Sequence, residues 1–91
     1  MLQLKIVSPE KVEYDGAADR ILVPGTMGQF EILNDHAPII STLQKGTVEY
    51  VNKEGKTSLE IQGGFVEVQK NQVSLCVELK YSADVRRSKN G

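Results

Sequence analysis

The sequence predicts an all-β protein, an antiparallel two-sheet β-sandwich or flattened barrel of short strands. Two observations carry this prediction: apolar and polar residues alternate in most segments, and turn signals recur at short, near-regular intervals. No segment before residue 80 has the apolar spacing of an amphipathic helix. A chain of 91 residues provides for one such domain with one core.

The strands are predicted from their alternation. In residues 1–7, Leu2, Leu4 and Ile6 fall on one side, with polar residues between them. Similar alternation occurs at Val48 and Tyr50, at Leu59 and Ile61, at Val66 and Val68, and at Val73, Leu75, Val77 and Leu79. Each run is typical of a strand with one face buried.

Dipeptides that favour reversal of the chain separate these runs. They are Asp15-Gly16, Pro24-Gly25, Lys45-Gly46, Glu54-Gly55, Gly63-Gly64 and Lys70-Asn71. Gly55 suits a hairpin that requires a positive φ angle. For Gly63-Gly64, a second interpretation is a β-bulge or a close approach of another backbone.

The charge distribution argues against bulk nucleic-acid binding, which requires a basic excess. The chain has 11 basic and 12 acidic residues and a net charge of −1. Residues 80–91 carry a net charge of +3, so the preceding residues are mildly acidic. We therefore expect a folded domain over residues 1–80 and a basic tail over residues 81–91, either flexible or a helix stub.

No catalytic or metal-binding pattern is found in the sequence. His36 is the only histidine and Cys76 the only cysteine, which excludes a site with paired histidines, a cysteine cluster and an internal disulfide. The serines lie outside a nucleophile elbow, and residues 25–28 lack the Lys-Ser/Thr of a phosphate-binding loop. The sequence therefore predicts a protein that works by binding, without catalytic residues, metal or cofactor.

The sequence also indicates a reducing compartment and no direct insertion into a membrane. It contains one cysteine, no recognisable signal peptide and no apolar stretch near the roughly 20 residues that span a bilayer.

Two regions have alternative interpretations. Residues 24–38 contain the histidine, two glycines and two prolines, and form either an irregular strand between loops or a loop cluster that presents polar groups to a partner. Alternation after Gly63-Gly64 directs Phe65 and Glu67 outward. Phe65 is then either ordinary exposed apolar surface or part of an interface.

Five segments in a fixed order make the chain resemble a known family. They are Leu4-x-Ile6-Val7-Ser8-Pro9, Arg20 to Gly25, Gly28-x-Phe30-x-Ile32-Leu33-x-x-His36-Ala37-Pro38, Leu43-x-x-Gly46-x-Val48 and Gly63 to Val68. The family is that of the epsilon subunits of rotary F-type ATP synthases (delta in mitochondria), and the resemblance covers about residues 2–79.

The chain departs from the family pattern in three places. Glu31 stands where a second glycine is usual, and Asn34-Asp35 replaces a common Pro-Gly or similar turn. Long members continue into a helical hairpin that restrains ATP hydrolysis, for which residues 81–91 are too few. In this respect the chain resembles either a naturally short member of the family or a long member that has been trimmed.

The resemblance implies a non-catalytic rotor subunit of the central stalk. Such a subunit links the gamma shaft to the c-ring of the membrane sector and supports torque transmission in ATP synthesis coupled to transport of protons or sodium ions. It binds no nucleic acid, needs no cofactor and is peripheral at the cytoplasmic face of the bacterial inner membrane.

The resemblance also implies two contact regions. The c-ring-facing end maps onto Ser8, Gln29, His36, Ala37 and Pro38. The gamma-facing side maps onto Ser41, Gln62, Glu67 and Ser74, and alternation adds Phe65 and Cys76 beside the last two.

Two alternative functions are those of proteins that act on their own, outside an ATP synthase: an enzyme and a binding module. A small β-barrel hydrolase or isomerase needs polar side chains inside the barrel, whereas the inward positions here are almost all aliphatic. A carbohydrate- or peptide-binding sandwich usually offers exposed aromatic residues, whereas this chain has no Trp, two Phe and three Tyr.

Overall fold

A computed structural model describes residues 1–79, which contain strands and no helix. The strands are β1 (Leu2–Val7), β2 (Val12–Ala18), β3 (Arg20–Gly25), β4 (Gly28–Ile32), β5 (Ile39–Leu43), β6 (Gly46–Asn52), β7 (Gly55–Gln69) and β8 (Gln72–Leu79). The predicted tail, residues 81–91, lies outside the described residues.

The strands form two layers that share the long strand β7. Its first part, residues 55–61, pairs with β6, and its second part, residues 61–69, pairs with β5 and β8. We call β2-β1-β8-β7-β5 the first sheet and β7-β6-β3-β4 the second sheet. The two sheets meet again where Gly25 of β3 pairs with Leu43 of β5.

The core lies between the two sheets and is apolar. Its residues are Leu2, Leu4, Ile6, Ala18, Ile21, Val23, Ile32, Leu43, Val48, Tyr50, Ile61, Val66, Val68, Val73, Leu75, Val77 and Leu79. Within the described part of the chain no polar or charged residue is buried. The burial of aliphatic side chains is therefore the main stabilising term of the fold.

The predicted fold class is confirmed, with one addition. The pair β1–β8 is parallel, from Gln3 opposite Gln72 to Val7 opposite Cys76, whereas the other strand pairs are antiparallel. Alternation determines which face of a strand is buried and carries no information about the direction of its neighbour.

Most of the predicted turns are present. Two-residue loops connect β3 to β4, β6 to β7 and β7 to β8, and the last of these is Lys70-Asn71 with φ angles of 51° and 63°. Gly55 has the expected positive φ angle, 123°. The prediction of a reversal at Asp15-Gly16 was wrong, because both residues lie inside β2, opposite β1.

Gly63-Gly64 is a bulge within β7, and the alternative prediction of a reversal was wrong. The register between β7 and β8 shifts between Ile61 and Gly63. Gly64 has a φ angle of +150°, and a Cβ atom there would lie 2.1 Å from the carbonyl oxygen of Cys76. Only glycine therefore fits where β7 passes from one sheet to the other.

We predict that Gly64→Ala destabilises the domain by at least about 3 kcal/mol, through strain at positive φ and a clash with the β8 backbone. Urea unfolding followed by circular dichroism measures this. Gly63→Ala is the matched control, because its Cβ atom would have its nearest contact at 3.6 Å. Equal stability of the two variants would show that the close approach at Gly64 does not constrain the fold.

Candidate functional site

Four of the predicted residues lie side by side on the outer surface of the first sheet. Phe65 lies opposite Cys76, and Glu67 lies opposite Ser74. Opposite residues of paired strands share a face, and the alternating Val66 is 0% exposed on the other side. We call the surface formed by Phe65, Glu67, Ser74 and Cys76 the β7–β8 face.

Neighbouring strands extend the β7–β8 face with residues that the sequence analysis missed. They are Ile40 and Thr42 on β5, and Lys5 and Val7 on β1. Ile40 is 77% exposed and Phe65 43% exposed, so two large apolar side chains lie on this surface. The available signal was the pair Ile39-Ile40, because a strand directs only one of two consecutive side chains inward.

A shallow concave surface, which encloses a volume of about 520 Å³, continues from the β7–β8 face toward the end of β1. Its lining is mostly apolar and includes Val7, Ser8, Gln62, Phe65, Cys76 and Glu78. Gln62 is exposed just before the bulge in β7. The structure thus places Gln62 beside the β7–β8 face.

Ser8 lies apart from the other predicted ring-facing residues. Its hydroxyl donates a hydrogen bond to a carboxylate oxygen of Glu13 at 2.9 Å. Ser8 follows Val7, the last residue of β1. The His36 loop lies near the beginning of β1, because Asp35 in the loop bonds Asn71, and the amide of Gln3 donates to the carbonyl oxygen of Asn71. At about 3.3 Å per residue, these positions are about 17 Å apart along the strand. The structure groups Ser8 with Gln62 and Cys76 instead.

Ser41 is separated from the other predicted gamma-facing residues. It lies opposite Val66, whose side chain is buried. It therefore shares the inner side of β5 with Ile39 and Leu43, while the β7–β8 face is on the other side of the sheet. The family pattern predicts which strand contributes to the contact, whereas the pairing register decides which face of that strand each side chain occupies.

Three of the remaining ring-facing candidates, His36, Ala37 and Pro38, lie in the loop between β4 and β5. Ala37 and Pro38 are exposed, and His36 is half-buried with its Nδ1 atom 2.8 Å from the carbonyl oxygen of Ala37. The His36 ring centroid lies 6.5 Å from that of Phe30. Gln29 precedes Phe30 on β4 and is exposed.

A pair of polar side chains fastens this loop to the turn between β7 and β8. The amide of Asp35 donates to the side-chain oxygen of Asn71 at 2.6 Å. The side-chain amide of Asn71 donates to a carboxylate oxygen of Asp35 at 3.2 Å. Asn34-Asp35 is one of the departures from the family pattern, and nothing in the sequence predicts Asn71 as the partner of Asp35.

The described residues offer little for chemistry. In residues 1–79, no three His, Cys, Asp or Glu side chains are grouped so that they could hold a metal ion. Over the same range, no helix has the length and apolar character needed to cross a membrane.

A family model described as the β-sandwich domain of the ATP synthase delta/epsilon chain matches residues 1–82. The chain belongs to this family. The match covers every described strand, so the resemblance predicted from the five segments is confirmed.

Two relatives illustrate the range of the family. The ATP synthase epsilon chain of Leptospira borgpetersenii serovar Hardjo-bovis is 38% identical over 97% of this chain and 72% of its own length. The cyanelle epsilon chain of Cyanophora paradoxa is 37% identical over 84% of this chain and 58% of its own length. The chain also spans 61% of the Leptospira interrogans epsilon chain, which is 40% identical to it.

Two solved structures share the fold at 17% sequence identity. A chain of the Euglena gracilis mitochondrial ATP synthase, in an assembly with OSCP, F1 and the c-ring, matches with a TM-score of 0.78 over 98% of this chain and 62% of its own. A chain of the Tetrahymena thermophila central stalk and c-ring matches with a TM-score of 0.72 over 97% of this chain and 90% of its own.

The different positions of Ser41 and Ser74 lead to a testable difference. We predict that Ser41→Arg destabilises the isolated chain by about 1–3 kcal/mol, because a long charged side chain would enter the inner side of the first sheet. Ser74→Arg is the matched substitution at an exposed position and should change stability by no more than about 0.5 kcal/mol. Urea unfolding compares the two, and a larger loss for Ser74→Arg would contradict the pairing register.

Proposed function

We propose that this protein is a non-catalytic rotor subunit of an F-type ATP synthase that links the gamma shaft to the c-ring. The observation that carries the proposal is the family match over residues 1–82, which includes the whole described fold. The relatives from two Leptospira species carry the name ATP synthase epsilon chain. The subunit contributes no reacting group and acts by joining two other parts of the machine.

The β7–β8 face and its concave extension are the proposed contact with gamma. Exposed Ile40 and Phe65 supply apolar area, and Glu67, Lys5 and Ser74 supply polar groups beside it. Exposed apolar area together with polar groups is typical of a protein interface. We include Gln62 and Cys76 in this contact.

Two residues change their proposed roles because of their positions. Ser8 belongs with the gamma contact, since it lines the same concave surface as Gln62 and Phe65. Ser41 supports β5 from its inner side and does not itself contact gamma.

The opposite end of the first sheet is the proposed contact with the c-ring. His36, Ala37 and Pro38 form it, and we include the exposed Gln29 of β4 in the same contact. Ala37 and Pro38 are exposed, and His36 offers a ring nitrogen for a hydrogen bond with polar ring loops. We place the assembled subunit at the cytoplasmic face of the bacterial inner membrane, held there by the ring.

A tightly packed sandwich suits a part that transmits torque. The core strands are paired on both sides, and close-packed interiors resist deformation. The strand β7 runs through both sheets, so a force applied to one sheet is passed to the other along a continuous backbone.

The test is recovery of partners by the tagged chain from detergent-solubilised membranes of its own organism. We predict that the wild-type chain recovers gamma and the c-ring. Ser74→Arg should reduce recovery of gamma at least about tenfold. A bulky cation in a desolvated interface is expected to weaken the free energy of binding by more than about 1.4 kcal/mol.

The control is Ser58→Arg, which makes the same change at an exposed serine on the second sheet. It should leave recovery of gamma unchanged. Failure of the wild-type chain to recover either partner would overturn the proposed function. Equal recovery with Ser74→Arg and Ser58→Arg would overturn only the assignment of the β7–β8 face.

A further inference from the structure

The loop that carries His36 is held by contacts distant in sequence. Asp35 and Asn71 are separated by 36 positions and exchange two hydrogen bonds. Both residues have left-handed backbones, with φ angles of 65° and 63°. Asn and Asp tolerate this region better than other non-glycine residues, so each side chain can bond its partner without an unusual backbone cost.

The Asp35–Asn71 pair is also connected to the centre of the first sheet. The carbonyl oxygen of Asn71 accepts a hydrogen bond from the amide of Gln3 at 2.8 Å. Gln3 lies on β1, and Asn71 lies in the turn that joins β7 to β8. The pair therefore fastens the loop to β1, β7 and β8, of which β7 and β8 carry the β7–β8 face.

Apart from the Asp35–Asn71 pair, the His36-Ala37-Pro38 turn is held by bonds within the loop and by the His36 ring, whose centroid lies 6.5 Å from that of Phe30. The amide of His36 donates to the carbonyl oxygen of Leu33 at 3.1 Å, which is a bond within the loop itself. Ala37 and Pro38 are exposed. A short turn with few anchors samples several orientations. A partner that binds only one of them must order the turn, and the entropy lost on ordering lowers the affinity.

We infer that Asp35 and Asn71 are positioning residues that hold the His36-Ala37-Pro38 turn in the orientation required by the c-ring. This inference rests on the proposed ring contact. It adds a mechanical link between the two proposed interfaces, since the same pair joins the ring-facing loop to the sheet that faces gamma. Neither side chain needs to touch the ring for this role.

An exchange of the two side chains tests the pair with little change of shape. In Asn71→Asp, two carboxylates face each other and the bond from the Asn71 side-chain amide is lost. In the double variant Asp35→Asn/Asn71→Asp, the donor is restored on the other partner and the net charge of the wild type returns. Asp35→Asn alone keeps both hydrogen bonds.

Binding of each full-length variant to purified c-rings in detergent is measured, together with binding to gamma. We expect Asn71→Asp to weaken ring binding at least about fivefold, and the double variant and Asp35→Asn to lie within about twofold of the wild type. Gamma binding should be unchanged in all of them. Gln72→Glu adds the same charge at the neighbouring exposed position and should also bind the ring normally.

Amide hydrogen exchange reports directly on the pair, because the Asp35 amide should exchange faster in Asn71→Asp and return to the wild-type rate in the double variant. Loss of ring binding that the double variant does not restore would overturn the inference, as would equal losses for the ring and gamma.

His36→Ala separates this inference from the proposed ring contact. If His36→Ala weakens ring binding while Asn71→Asp does not, the positioning role is wrong and the ring contact stands. If neither change affects ring binding, the contact through this turn is itself wrong, and the inference falls with it.

Discussion

The backbone of β7 at Gly64 passes so close to the carbonyl of Cys76 that no Cβ atom fits between them. This approach lies at the bulge where β7 leaves the second sheet and enters the first. The bulge lets one strand serve both layers, so that the core closes between them without a buried polar side chain in the described residues. The same passage sets the register of β8, and with it the side chains that reach the outer surface.

The surface and the loop follow from that register. Because Phe65 pairs with Cys76 and Glu67 with Ser74, the outward positions of two central strands form one continuous area. At the end of these strands, the Lys70-Asn71 turn lies beside the loop that carries His36. The proposed gamma contact on the β7–β8 face and the proposed c-ring contact at the His36 loop are thus joined by paired backbone and by the Asp35–Asn71 pair.

The sequence could predict local features and could not predict partners. Burial along β1 and β8 follows from alternation, which is a property of each strand alone. The parallel pairing of β1 with β8 depends on contacts between distant segments, and Asp15-Gly16 resembles a turn until the neighbouring strand extends it. Ser8 and His36 lie at opposite ends because strand direction, which the motif does not contain, separates them.

Cys76 reports on the proposal that the β7–β8 face is covered in the assembled ATP synthase. It is the only cysteine of the chain and is partly exposed at the centre of this face. Its alkylation by iodoacetamide can be followed by mass spectrometry in the isolated chain and in the assembled ATP synthase. If gamma covers this face, alkylation is at least about tenfold slower in the assembly, and equal rates in the two samples would show that the face is uncovered.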